Sequence, residues 1–230
     1  RSTPKPSSAA SDVYKRQIMH WFNYRFGLKG YLHWGFNHWT DKPFNSAGKH
    51  RGDGWLVYPK KDGLLNSLRW EQMRNGLQDF EYLWMLEDKI RKVRNGLSGR
   101  VAAMIEPARR PIEIASQLVR TMDDYSKDPD ALYAAKRQVI NEILDMDRPP
   151  AIIVQTNPLE HSRLANDCAI DVFGWTEPGT IVTVNGRRLP VASDGLFMEN
   201  VQLSRQNSIV VEAESKKGKK TIVRSFEVLY

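Results

Sequence analysis

The chain of 230 residues suffices for one large domain or two small ones, each able to bury its own core, so a miniature scaffold held by disulfides or metal is excluded. Hydrophobic residues make up 41% and charged residues 27%, and no uncharged apolar run approaches the ~18 residues needed to cross a bilayer, so no membrane span is expected. The formal charge of +7 divides as +3 over residues 1–17, +4 over 18–150 and zero over 151–230; almost half the excess sits in a short tail, which argues against a nucleic-acid partner.

Residues 1–17, rich in Ser, Pro and Ala with no hydrophobic period, predict a disordered arm, and SDVYKRQ resembles an adaptor scar from gene assembly. On that reading the natural protein starts well before Ile18, and an export signal would lie upstream. From Ile18 the character changes: residues 20–58 hold eleven of the 23 aromatics and four of the five histidines. IMHWFNYRF reads as the end of a helix capped by Gly27. GYLHWGF, residues 30–36, reads as a strand with Tyr31, His33 and Gly35 on one face and Leu32, Trp34 and Phe36 on the other. A polar loop from Asn37 to Gly54 and a second strand, residues 55–59, follow. The clearest helix spans residues 67–93 with Ser67 as N-cap, and two more cover about 111–123 and 130–146, the latter announced by Asp128-Pro129.

Arg148-Pro149-Pro150 reads as a stiff linker. Beyond it seven short strands alternate with turn formers, and Asn185-Gly186 is a strong two-residue hairpin signal. Residues 151–230 therefore predict a small β-sandwich. Lys216, Lys217, Lys219 and Lys220 fit a solvated hairpin tip. The lone Cys168 allows no intramolecular disulfide and no cysteine metal site.

The aromatic stretch carries the chemistry. Sugars lay their apolar C–H faces on indole rings while amides and carboxylates fix the hydroxyls, so Trp34, Asn37, His38 and Trp39 leaving a strand together suit a saccharide pocket; the competing reading is that the rings fill a core. In RGDGWLVYP, glycines flank Asp53 and Tyr58 offers a hydroxyl, although a plain turn explains the pattern equally well. His33 and His38 suit sugar hydrogen bonding, because the spacing of His33, His38 and His50 matches no zinc pattern. No metal or other cofactor is expected. Glycosidases need two carboxylates about the scissile bond. Asp41 and Asp53 share one loop, whereas Glu71, Asp79, Glu81, Glu87 and Asp88 lie on a helix among basic residues and read as a solvated or ion-paired face. No catalytic dyad emerges.

Three ordered motifs, GYLHWGFNHW, RGDGWLVYPKKDG and SLRWEQMRNGLQDFEYLWML, resemble the C-terminal part of the glycoside hydrolase family 123 catalytic domain over residues 18–147. That resemblance implies the last strands and closing helices of a (β/α)8 barrel, and a glycan substrate. The family comprises exo-acting β-N-acetylgalactosaminidases in which an Asp orients the substrate's 2-acetamido group as nucleophile and an adjacent Glu serves as acid and base. The chain contains no Asp-Glu dipeptide, so the catalytic pair is expected upstream. Pocket wall is what carries over: Trp34, Asn37 and Trp39, with Asp53 and Tyr58 second. His33 stands where relatives often have Tyr, and Lys60-Lys61 replaces a tighter turn, which leaves the sugar open. TEPGTIVTVNGRRLPVASDGLF and NSIVVEAESKKGK are similar to a bacterial immunoglobulin-like module of the kind seen as domain B of glucodextranase. Phe173 and Trp175 there read first as packing residues.

The expected architecture is thus α/β followed by all-β. Two functions compete: an exported bacterial glycoside hydrolase of N-acetylhexosamine glycans, inactive without its upstream part, and a non-catalytic carbohydrate-binding or surface-adhesion protein.

Overall fold

The computed structural model describes residues 8–44, 54–97, 99–165, 167–203 and 207–229. Helices and sheets are both present, in two compact units: residues up to Tyr82 with Leu118–Lys136, and Leu83–Gln117 with Arg137 onward. Residues 148–150 lie inside the second unit.

The first unit opens with α1 (Ser8–Arg25). Over residues 8–17 the expected disordered arm is helix, residues 1–7 lying outside the described residues, and the buried Gln17 side chain donates to Asp79 Oδ2 at 2.7 Å. Gly27, at φ 63°, ends the helix; its N–H reaches the Tyr24 carbonyl and that of Leu28 the Asn23 carbonyl, satisfying two orphan acceptors. The expected strand over 30–36 does not form. Asn37 makes only an isolated antiparallel bridge to Trp55, and the first strands are the antiparallel hairpin β1 (Val57–Lys60) and β2 (Gly63–Asn66).

α2 (Leu68–Asn95) starts as predicted, with Ser67 Oγ accepting the Trp70 N–H at 3.2 Å. Gly76 lets α1 and α2 approach, since a Cβ there would stand 2.6 Å from the Gln17 carbonyl oxygen. Asp79, one turn on, is 1% exposed. It accepts from Gln17 and from the Trp21 indole, and pairs with Lys136 at 2.7 Å. Asp79 is therefore a buried anchor, not part of a solvated face. Lys136 lies on α5 (Pro129–Asp145), whose Asp128 cap accepts the Asp130 N–H at 3.0 Å.

In the second unit, α3 (Gly99–Met104) and α4 (Arg109–Leu118) precede the strands. A three-stranded antiparallel sheet orders β3 (Ile152–Asn157), β5 (Ala169–Thr176) and β8 (Leu196–Gln202). A four-stranded antiparallel sheet runs β10 (Gly218–Ser225), β9 (Ser208–Ser215), β6 (Ile181–Val184) and β7 (Arg187–Leu189). β4 (Arg163–Ala165) and β11 (Glu227–Leu229) pair in parallel. One apolar core draws on both larger sheets, among them Val154, Ile170, Val172, Val182, Ile209 and Val211. The β6–β7 turn places Asn185 and Gly186 at φ 48° and 79°, the left-handed pair that the sequence demands.

Helices and strands of this unit are joined by charge. Arg110, 4% exposed, donates to Glu142 at 2.7 Å and to Glu160, and lies 3.1 Å from Glu113. Gln155 and Glu106 exchange reciprocal bonds of 2.7 and 3.1 Å. Burial is the largest single influence on the Glu142 and Glu160 carboxyls and raises them, but Arg110, Arg224 and neighbouring hydrogen bonds together hold both below their ordinary value of 4.5. A lowered folded pKa gives stability that is present above the unfolded value and lost as pH falls through the folded one. Arg110→Met should strand three carboxylates and cost about 3–5 kcal/mol at neutral pH. Chemical denaturation from pH 7 to pH 2 should show a steep acid loss in the parent and a shallower one in the variant; equal stability throughout would contradict the network's role.

Candidate functional site

The aromatic stretch of the first unit is organised by two loop segments running antiparallel. The Leu56 N–H reaches the Phe36 carbonyl at 2.8 Å and the His38 N–H the Gly54 carbonyl at 3.1 Å. They meet so closely that a Cβ on Gly35 would stand 2.9 Å from the Gly54 Cα, and one on Gly54 would stand 2.8 Å from the Trp34 ring. The two glycines thus create the space in which the Trp34 indole lies.

The indoles then divide by role. Trp55 is buried and donates its N–H to the His38 carbonyl; half-buried Trp39 donates to the Val57 carbonyl at 2.8 Å. Both are fixed to backbone. Trp34 remains 51% exposed, with its ring edge-to-face against His38 at 5.5 Å and tilted to His33 at 6.5 Å. His33 Nδ1 also lies 3.0 Å from the Arg16 guanidinium. Asn37 and His38 are exposed, so an amide and an imidazole stand beside an accessible aromatic face.

A second group forms around Tyr58, which packs edge-on to Trp55 at 6.3 Å and stacks on Phe44 at 5.5 Å and 9°. Phe44, 70% exposed, is a member that sequence reasoning missed; its one signal is a large apolar residue in the polar run Asp41–Asn45. The Trp55 indole bond to His38 connects the two groups. Asp53 and His50 lie outside the described residues. Behind the site, burial lifts the Tyr31 phenol above its ordinary value, partly offset by Arg16, and lowers the His20 imidazole, partly offset by Asp79.

With its exposed indole and its glycine contacts, this stretch falls inside a segment with known relatives. Residues 6–86 match the family described as glycoside hydrolase 123, catalytic domain. No curated protein matches the chain. Among solved structures, an endo-β-1,4-mannanase from Thermotoga petrophila is 9% identical over 50% of this chain and 29% of its own, at a TM-score of 0.26. A modular endo-β-1,4-mannanase from Cellulomonas fimi is 13% identical over 74% of this chain and 27% of its own, at 0.25. The twitchin kinase region from C. elegans is 11% identical over 95% and 44%, at 0.29. The chain thus spans less than half the length of each, and likenesses at these scores assign no fold.

Among the described residues no group of three or more His, Cys, Asp or Glu is placed to hold a metal. In the second unit, the Trp175 indole N–H is taken by the Asp194 carbonyl at 3.1 Å, and Arg109 lies over the Phe173 ring at 5.8 Å.

Gly35→Ala should lower stability by about 1–3 kcal/mol, because its Cβ meets backbone that has no freedom to yield. Gly30→Ala, with nothing within 4 Å of its Cβ, should change stability by less than about 0.5 kcal/mol. Thermal unfolding of the two variants checks the contrast, and equal effects would contradict the close approach.

Proposed function

We propose that this chain is the C-terminal part of an exported bacterial glycoside hydrolase acting on N-acetylhexosamine glycans, with β-N-acetylgalactosaminides as the preferred class. The observation that carries the reading is the half-exposed Trp34 indole, seated over Gly54 inside the segment that matches a glycoside hydrolase catalytic domain. A pyranose ring presents an apolar C–H face that an indole desolvates favourably, while the exposed Asn37 amide and His38 imidazole supply directional hydrogen bonds to hydroxyl or acetamido groups.

In this reading residues 18–147 contribute the C-terminal portion of a barrel catalytic domain, chiefly its closing helices, and residues 151–230 form an immunoglobulin-like spacer. Retaining hydrolysis would use the substrate's own acetamido oxygen as nucleophile, oriented by an Asp, with an adjacent Glu as acid and base. That pair would come from natural sequence upstream of Ile18. Trp34, Asn37, His38 and Trp39 would form pocket wall, joined by His33, Tyr58 and Asp53.

A carbohydrate-binding or adhesion protein without catalysis is the second reading. It is favoured by the state of the buried carboxylates: Asp79 is held by Lys136, and Glu113 and Glu160 by Arg110. Joining the chain to its natural upstream sequence and assaying release of p-nitrophenol from the β-N-acetylgalactosaminide separates the two, since only the hydrolase turns over.

Both readings place sugar on Trp34. Fluorescence titration with N-acetylgalactosamine should give a dissociation constant in the millimolar range, about −4 kcal/mol, and Trp34→Ala should weaken it at least about tenfold, about 1.4 kcal/mol. Unchanged binding by a folded Trp34→Ala protein would reject the assignment.

A further inference from the structure

The second unit contains a cavity of about 510 Å³, of the size that small-molecule sites occupy. It lies among the ends of α2 and α5 and the two edge strands β3 and β10. Its walls are of two kinds. Leu86, Ile90, Ile152, Val154 and Ile222 make it apolar, and Arg224 places a guanidinium in it.

Arg224 arrives there by strand register. It pairs with Ile209 across the β9–β10 ladder and Ile222 pairs with Val211, so Arg224 shares the side of the sheet occupied by buried aliphatic residues. It is 6% exposed. Its terminal nitrogens make long bonds of 3.3 Å to the carbonyls of Val154 and Val223, and Nε has no partner among the described residues. The carboxylates nearby, Glu113, Glu142 and Glu160, pair directly with Arg110 and act on Arg224 only through space. Burial, then the positive charge of Arg110, lowers the Arg224 pKa, and the charges of Glu142, Glu160 and Glu113 offset this only in part.

The other cations lining the cavity are already engaged. Lys219 pairs with Glu212, Arg148 with Asp145, and Lys220 donates to the Asp145 carbonyl. Lys220 lies on the same face of β10 as Arg224, about 13 Å away at four residues' separation, with Ile222 between them. A ligand lying along this strand therefore meets a buried guanidinium first, then aliphatic surface, then an ammonium toward the hairpin.

We propose that this cavity is a binding site for a small monocarboxylate with an apolar body, its carboxylate on Arg224 and its body against Ile152 and Ile222. A carboxylate in the cavity would accept charge-assisted hydrogen bonds from the terminal nitrogens of Arg224, whose bonds to the carbonyls of Val154 and Val223 are long. A second charge is disfavoured by Glu142, which lines the same cavity. The site is independent of the sugar platform of the first unit and of the function proposed for it.

Hexanoate serves as the probe and hexanol as its neutral counterpart, titrated into the whole chain while the methyl signals of Ile152 and Ile222 and the Arg224 Nε–H signal are followed by NMR. Saturable hexanoate binding is expected at these three positions, with hexanol at least tenfold weaker. Arg224→Met should bring hexanoate down to the affinity of hexanol. Should Arg224→Met fail to fold, Ile152→Trp, which fills the cavity beside the body of the ligand, should abolish binding instead. Equal affinity for hexanoate and hexanol, no saturable shift at Arg224, or binding retained in Ile152→Trp would each overturn the site.

Discussion

The arrangement of the aromatic stretch rests on one steric constraint, the contact of Gly35 with Gly54. Two backbone segments can lie this close only where neither carries a Cβ, and their approach sets the carbonyls of His38 and Val57 within reach of the Trp55 and Trp39 indoles. Each of those rings then satisfies its one donor on backbone and becomes scaffold. Trp34 packs against the second glycine and keeps half of its surface in solvent. Three tryptophans within 22 residues are thus sorted into two supports and one platform by two glycines.

The second unit is governed by charge. Arg110 gathers Glu113, Glu142 and Glu160 into one buried network that joins α4 and α5 to the segment following β3. Such a network contributes little when intact relative to an apolar equivalent, yet removing one member leaves uncompensated buried charge. The two guanidiniums lie in one low-dielectric region, where the three acids pair directly with Arg110 and reach Arg224 only through space.

Local signals were the legible part of the sequence. Ser67 and Asp128 start their helices, Gly27 ends α1, and Asn185-Gly186 turns a hairpin, because each depends on a few adjacent backbone groups. Beyond Pro150 the alternation of apolar residues between turn formers marks most of the strands, but not β4, and it runs β10 and β11 together. Signals that need a distant partner were lost. Residues 30–36 alternate like a strand, but alternation becomes a strand only where a neighbour accepts the ladder, and Leu32 projects into solvent instead. α1 extends through a Ser- and Ala-containing stretch with no apolar period, tied down by Gln17 and Trp21 meeting Asp79 from 58 or more positions away. Asp79 reads as one member of a solvated or ion-paired helix face because burial of a single charged residue leaves no trace in spacing. At the aromatic site, residue type pointed to Trp34 and Trp39, but only the folded chain separates the ring that faces solvent from the one held by its N–H.

Among the three indoles near Gly54, Trp34 is the one that keeps half of its surface exposed, and the proposed function seats the sugar on it. The seven tryptophans give seven side-chain indole N–H signals, and following them by two-dimensional ¹⁵N NMR during addition of N-acetylgalactosamine tests that claim directly. The Trp34 signal should shift most, those of Trp39 and Trp55 little, and those of Trp21 and Trp175 not at all. A saturable shift at Trp175 with Trp34 unmoved would contradict it.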